Sequence, residues 1–278
     1  MKLFSFIVFA SVLLSTRAIA GSGDSSEFTL GIKSFNLAKL WRSDSLQVLQ
    51  NDLYSAGKFM YYGTQTEKFP EPYGFIGLDY ERFYIHYLAV VKDTGKIHRY
   101  LVAGKTKMKD TTCNFKGTIT VSRARTSKTT TTLIMPTPEN KKNEVPYRQG
   151  VIYCDVSLWQ DSAKPNTGTI TGRLTTKFFL DSSQHLFYDN LDNVSDSHCN
   201  NQFIGLWKAY KTNVVKKCNW GDYRIPNCGD LDEGAGGFSP SDKYIQNGWQ
   251  NYRDAYSTGT LTQKSARALA VENFRWWR

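Results

Sequence analysis

The chain has 278 residues, of which 14% are aromatic, and a formal net charge of +10 at neutral pH. No apolar run after residue 20 is long enough to span a bilayer, so integration into a membrane is not expected. Zinc-finger, RNA-recognition and helix-turn-helix signatures are also missing, and nucleic acid is therefore not an expected partner. Residues 92–148 hold most of the positive excess, with 13 basic and four acidic side chains, and such a block would attract polyanions.

The first twenty residues have the layout of a secretory signal peptide. Lys2 gives a positive start, residues 3–14 are almost entirely apolar, and Ala18 and Ala20 form a small-x-small cleavage site. The apolar run is shorter than the roughly 20 residues that span a bilayer. We therefore expect cleavage after Ala20 and an exported mature chain, either periplasmic or extracellular.

The N-terminal part of the mature chain predicts one short helix and then a β-hairpin. Within residues 43–55, Leu46, Leu49 and Leu53 recur at helical spacing, and Gly57 ends the pattern. Residues 83–91 and 97–103 are strand-like and flank a turn that contains Gly95, which predicts an antiparallel pair.

Further strands are predicted through the middle of the chain. Residues 116–121 and 167–172 both contain Gly-Thr-Ile-Thr, residues 177–180 and 186–188 form a second predicted hairpin, and residues 202–210 form a strand with Gly205 at a bulge. Residues 126–147 and 211–241 are predicted loops.

The C-terminal residues 263–276 predict a helix that docks on the β core through Ala266, Leu269, Ala270 and Phe274. These elements predict a mainly β protein, an antiparallel barrel or sandwich with a short N-terminal and a C-terminal helix. Residues 21–278 are expected to form one domain, and two packed β halves divided near 126–148 are the alternative.

Five cysteines in an exported chain favour disulfides with one odd thiol. Spacing cannot fix the pairing, although Cys113 and Cys154 both lie beside strand-like runs and could join neighbouring strands. One pair among the other three would close a glycine-rich loop. The candidates are Cys113, Cys154, Cys199, Cys218 and Cys228.

The glycine-rich loop suggests one optional metal site and no required cofactor. Asp230, Asp232 and Glu233 lie next to glycines and could bind calcium, which prefers several oxygen ligands. The spacing does not match an EF-hand, and the alternative is an ordered surface loop.

Motifs of nucleophilic catalysis are missing, since the chain has neither G-x-S-x-G nor C-x-x-C. Asp79 with Glu81, and Asp189 with Asp192, border predicted strands and could serve a glycosidase if they faced one cleft. Surface carboxylates are the alternative, so we expect a binding protein rather than an enzyme.

Three stretches carry a resemblance. Residues 202–207 (QFIGLW), the segment from Cys218 to Asp232, and residues 248–252 (GWQNY) resemble the C-terminal part of uncharacterised exported proteins of Gram-negative bacteria. Gly205-Leu206-Trp207 is also similar to the G-x-W motif of lipocalins. The resemblance implies a barrel or sandwich of meandering strands and brings no known activity.

The favoured prediction is an exported binding protein for a glycan or another anionic envelope or host-surface ligand. Aromatic and basic side chains on a β scaffold suit such a ligand. A glycoside-type hydrolase that uses two carboxylates is the alternative. The candidate ligand-binding residues are Trp159, Trp207, Trp220, Trp249, Arg123, Arg125 and Lys128.

Overall fold

The computed structural model describes residues 27–29, 31, 34–43, 46–49, 64–136, 142–191, 195–212, 214–256 and 262–278. The signal peptide predicted over residues 1–20 lies outside the described residues. The described chain is mainly antiparallel β-sheet with two short helices near the C-terminus, which confirms the predicted fold class.

The strands are β1 Glu27–Thr29, β2 Leu46–Leu49, β3 Thr64–Glu67, β4 Tyr73–Ile76, β5 Glu81–Lys92, β6 Arg99–Met108, β7 Thr111–Ser127, β8 Thr131–Pro136, β9 Lys142–Gln160, β10 Gly168–Asp181, β11 Leu186–Tyr188, β12 Asn200–Ala209 and β13 Val215–Asp222. The helices are α1 Gln250–Tyr256 and α2 Gln263–Glu272, and short 3-10 turns cover Leu37–Leu40, Gly229–Leu231 and Asp242–Asn247. Within the described ranges, no helix combines the length and the apolar character that crossing a bilayer requires.

Eight of the described strands form a ring. In chain order β4, β5, β6, β7, β9, β10, β12 and β13 each pair antiparallel with the next, and β13 pairs back with β4. Strands β1, β8 and β11 extend the sheet at its margins, while β2 and β3 form a separate pair. These strand pairings form a barrel, which is one of the two predicted architectures.

Alternation of side chains explains the ring. Along β7, every second residue from Cys113 to Val121 is buried, and the residues that alternate with them point outward. The two Gly-Thr-Ile-Thr strands, β7 and β10, lie on either side of β9, where Ile119 stands opposite Val156 and Ile170 opposite Leu158. All four of these side chains are buried, so the repeated Gly-Thr-Ile-Thr sequence belongs to two strands that contribute side chains to the same core.

The N-terminal helix prediction is wrong in position. Leu46–Leu49, within the predicted 43–55 helix, is a strand paired with Thr64–Glu67, and the helical turn near the N-terminus covers Leu37–Leu40 instead. Strand pairing, a non-local interaction, overrides the helical spacing of the leucines.

Both predicted loops contain strands. Residues 126–147 include the end of β7, β8 and the start of β9, and residues 211–241 include β13. Threonine suits a solvated strand face, so a polar sequence there does not exclude a sheet.

The predicted bulge at Gly205 is also displaced. Gly205 pairs regularly with Gly172, and the register shift lies between Asn200 and Phe203. Glycine is needed at 205 because a Cβ would lie 2.4 Å from the ring of Phe203.

The C-terminal helix is confirmed, but its predicted inner face is wrong. Ser265 and Ala268 are buried, whereas Ala266 and Ala270 are exposed and Phe274 is 67% exposed. The helix packs against α1 and is held by an ion pair rather than by an apolar stripe.

That ion pair joins Arg82 of β5 to Glu272 of α2. The two Nη atoms donate to the two carboxylate oxygens at 2.8 and 2.5 Å, and both side chains are more than nine-tenths buried. The guanidinium also lies 4.5 Å from the centre of the Tyr84 ring and 5.0 Å from that of Trp249. A bidentate arrangement with aromatic neighbours satisfies charges that would otherwise be costly to bury.

We expect Glu272→Gln to lower the free energy of unfolding by about 3–5 kcal/mol, because it leaves the Arg82 guanidinium buried without its counter-charge. Urea titration measures the change. Lys264→Gln on the same helix breaks an exposed pair with Asp254 and should lower it by less than about 1 kcal/mol. Equal losses of unfolding free energy in the two variants would contradict the conclusion that the buried ion pair holds α2 against the sheet.

Candidate ligand-binding cavity

The ring has its shortest pairing between β4 and β5. These strands pair through two residue pairs, Phe75 with Arg82 and Ile76 with Glu81, whereas β9 and β10 pair through thirteen. A cavity of about 190 Å³ lies past these two residue pairs, where the segment before β4 and His86 and Tyr87 of β5 contribute to its lining. Its lining is Trp41, Arg42, Ser43, Lys68, Phe69, Pro70, Glu71, Pro72, His86, Tyr87, Leu174, Asn201, Trp220, Asp222, Arg275 and Trp277.

The buried floor of the cavity includes Asp222, which ends β13. Its Oδ2 accepts hydrogen bonds from the Tyr188 hydroxyl and from Asn201 Nδ2, both at 2.8 Å. Burial raises the pKa of Asp222 to about 8, the two hydrogen bonds oppose this shift, and the charge of Glu71 adds to it. The raised pKa favours the protonated, uncharged carboxyl at neutral pH.

Tyr87 belongs to the same floor. Its hydroxyl is buried and has no hydrogen-bond partner among the described residues. Burial, together with the nearby Asp222, raises the pKa of this phenol, so it stays an O–H donor. Unpaired buried hydroxyls are rare in native proteins; Tyr87 lines the cavity, while its hydroxyl oxygen is enclosed by protein atoms.

The outer wall of the cavity includes a contact between a histidine and a carboxylate that an indole ring covers. His86 Nδ1 lies 2.9 Å from Glu71 Oε2, and the Trp277 ring stacks on the imidazole with 3.9 Å between ring centres. Trp276 contacts Tyr84 two residues earlier on β5, with ring centres 5.8 Å apart. The last residues of the chain therefore cover the outward face of β5 and complete the wall.

The exposed rim of the cavity is positively charged. Lys68 and Arg275 are exposed and Arg42 is partly exposed, and all three line the cavity. The lining holds two carboxyl groups, Glu71 and Asp222, and burial raises the pKa of Asp222. The arrangement favours an anionic group at the rim.

The four tryptophans proposed for ligand binding do not share one surface. Trp220 lines the cavity, Trp207 is buried and donates to Gln160, and Trp249 is buried and donates to the carbonyl of Tyr80. Trp159 is 49% exposed on the outer face of β9, opposite Lys116 and Thr169. Alternation along the strands puts Trp207 and Trp220 on the inner face.

The three basic candidates lie outside the cavity lining. Arg123 stands over the Tyr153 ring at 4.9 Å on the outer face of β7, Arg125 lies further along that strand, and Lys128 is exposed beyond its end. A role of these residues in ligand binding stays a prediction.

The acidic residues suggested for calcium are occupied by protein donors. Asp232 accepts from Arg224 at 2.8 Å and from two backbone N–H groups, and Asp230 accepts from Lys243 and from Tyr244. Among the residues that the structure describes, no group of three or more His, Cys, Asp or Glu side chains could hold a metal ion. Asp230, Asp232 and Glu233 therefore do not form the expected cluster.

All five cysteines are free thiols, so the predicted disulfides are not formed. Cys154 stands opposite Val121, eight residues further along β7 than Cys113. At about 3.3 Å per residue this separates the two positions by about 26 Å, far beyond the reach of a disulfide. Burial raises the pKa of Cys154 and of Cys218, and such thiols pack as small apolar side chains.

The carboxylates suggested for hydrolysis lie outside the lining as well. Asp79 is exposed, Glu81 pairs with Lys109 at 3.2 Å, Asp189 accepts from Gln149, and Asp192 is outside the described residues. The cavity instead brings together Glu71 and Asp222, which the sequence interpretation missed. Period-two alternation through Cys218 and Trp220 could have placed Asp222 on the inner face, whereas Glu71 lies between two prolines and carries no such signal.

Comparison of the chain with protein-family models, with curated proteins and with solved structures found no match. The fold and the cavity therefore define its class: an antiparallel β-barrel with a small cavity that has a neutral polar floor and a cationic rim.

We expect the free energy of unfolding to fall as pH rises from about 4 to about 8. The folded-state pKa of Asp222, about 8, lies above its ordinary value of 3.8, so in this window the folded protein holds a proton that the unfolded chain has lost. Asp222→Asn should remove at least about 1 kcal/mol of this decline, the equivalent of one pKa unit. Urea titrations at pH 5 and pH 8.5 measure it.

Asp155→Asn on the exposed outer face of β9 is the matched control and should keep the pH profile of the original chain. An unchanged decline in Asp222→Asn would show that Asp222 is ionised in the fold at neutral pH.

Proposed function

We propose that the protein is an exported binding protein that holds a small anionic ligand, a sugar acid or another acidic fragment of a glycan, in the cavity. The observation that carries the proposal is the combination of an uncharged floor, formed around Asp222, with a rim of Arg42, Lys68 and Arg275. Export rests on the signal-peptide pattern of residues 1–20.

The size of the cavity limits the ligand. Its volume of about 190 Å³ is below the roughly 300–1,000 Å³ of sites for drug-sized molecules. A single ring, or the terminal unit of a longer chain, suits this space. The walls include Trp41, Trp220 and Trp277, and such aromatic faces pack well against the apolar face of a sugar ring.

We expect D-glucuronic acid to bind and D-glucose to bind at least tenfold more weakly, because only the acid gains from the rim charges. Arg275→Gln should weaken glucuronic acid binding about fivefold, the equivalent of about 1 kcal/mol. Isothermal titration at low and high salt measures both, and added salt should weaken the acid selectively.

Arg267→Gln, on an exposed position of α2 outside the lining, is the control and should leave the affinity unchanged. Equal affinities for acid and neutral sugar, or equal losses in the two arginine variants, would contradict the proposed role of the rim.

A second candidate function is hydrolysis of a glycoside, which one observation favours. Glu71 and Asp222 line the same aromatic-walled cavity, and the raised pKa of Asp222 favours the protonated form that a general acid needs. Glu71, whose two oxygens both contact His86 Nδ1, would be the base or nucleophile. Nitrophenol release from nitrophenyl glucuronides that disappears in Asp222→Asn would favour hydrolysis over binding alone.

A further inference from the structure

Helix α2 turns its apolar side toward solvent. Ser265, Ala268 and the side chain of Glu272 are buried, and their spacing of three and four residues places them on one inner stripe of the helix. The outer stripe consists of exposed residues with the same spacing on the opposite side: Arg267, Ala270, Val271 and Phe274. The inner stripe is small and polar and the outer stripe is mostly apolar, which is the reverse of an ordinary surface helix.

The outer stripe exposes two large apolar side chains next to each other. Phe274 is 67% exposed and Val271 is 54% exposed. Phe274 follows the end of α2, but its backbone N–H donates to the carbonyl oxygen of Val271 at 3.2 Å, so the turn continues and keeps the two residues together. The stripe cannot rotate inward, because Glu272 holds the helix by its bidentate ion pair with Arg82.

The charges around the outer stripe are positive. Arg267 lies within the stripe, and Arg275 and Arg278 follow it; all three are exposed. The one side-chain carboxylate of residues 263–278 is that of Glu272, which is buried against Arg82. Exposed apolar groups bordered by arginines complement a surface that carries negative charge above an apolar layer.

The size of the outer stripe argues against a protein partner. A helix of ten residues is about 15 Å long and about 10 Å wide, so one face offers about 150 Å², whereas a stable protein interface needs about 800 Å² from each partner. A second copy would also bring the arginines of both chains together across a symmetric interface, which is unfavourable. A lipid surface has neither restriction.

We propose that α2 docks the protein on an anionic lipid surface. Val271 and Phe274 enter the apolar layer beneath the headgroups, and Arg267 contacts the lipid phosphates. The arrangement is that of a peripheral interfacial helix. The stripe lies outside the lining of the cavity, so this surface adds a second interaction to the proposed function.

Co-sedimentation of the full mature chain with lipid vesicles tests the proposal. Partition into phosphatidylglycerol vesicles should exceed partition into phosphatidylcholine vesicles at least about tenfold and should fall with added salt. Phe274→Ser should lower partition into phosphatidylglycerol at least about fivefold, because it removes the inserted ring. Arg267→Gln should lower it about fivefold and leave partition into phosphatidylcholine unchanged.

Two matched controls lie on the outer face of the barrel. Leu206→Ser replaces a side chain that is 50% exposed on β12, and Arg173→Gln replaces an exposed arginine of β10; both should keep the original partition. Equal partition into the two lipids, no partition into either, or equal losses in Phe274→Ser and Leu206→Ser would overturn the proposal. A dimer that forms without lipid and is lost in Phe274→Ser would overturn it too, since a second copy would then cover the stripe.

Paramagnetic broadening tests the same surface without any variant. In bicelles that contain spin-labelled phosphatidylglycerol, the backbone amide resonances of Val271 and Phe274 should broaden, while those of Ile204 and Leu206 on β12 keep their intensity. Broadening on β12 with unchanged resonances in α2 would overturn the proposal.

Discussion

The buried ion pair between Arg82 and Glu272 holds the weakest part of the barrel. Arg82 belongs to one of the two residue pairs that join β4 to β5, and its guanidinium binds a helix residue 190 positions later in the chain. Glu272 is the last residue of α2, and Arg275 and Trp277 follow within five residues. The cavity therefore depends on this pair, because a wall and part of the rim come from the segment that it anchors.

The cavity combines features that a fold built for stability alone would avoid. Asp222 is completely buried and Tyr87 has an unused hydroxyl, and each lowers the stability of the free protein. Groups of this kind concentrate at functional sites. Asp230 and Asp232 differ from Asp222, because lysine, arginine and backbone N–H groups already donate hydrogen bonds to their carboxylates. These two residues therefore fit a structural role.

Much of the fold could be predicted from the sequence, and little of the site. Period-two alternation predicted the hairpins around Gly95 and around residues 181–184, because each strand carries its own burial pattern. The predicted export favoured disulfides, yet the thiols of Cys154 and Cys218 are buried packing groups. The cavity could not be predicted from the sequence because Glu71, Asp222 and Trp277 are far apart in the chain. They come together only in the folded barrel, where the residues after α2 lie against β5.

The seven tryptophan indoles lie at different places in the fold, so their N–H resonances can show where a ligand binds. Trp41 and Trp277 line the cavity, whereas Trp159 lies on the outer face of the sheet and Trp249 is buried against Phe238 and Tyr252. Titration of ¹⁵N-labelled protein with D-glucuronic acid should shift the indole N–H resonances of Trp41 and Trp277 and leave those of Trp159 and Trp249 in place. A shift of the Trp159 resonance with unmoved Trp41 and Trp277 would contradict the account and place the ligand on the outer surface.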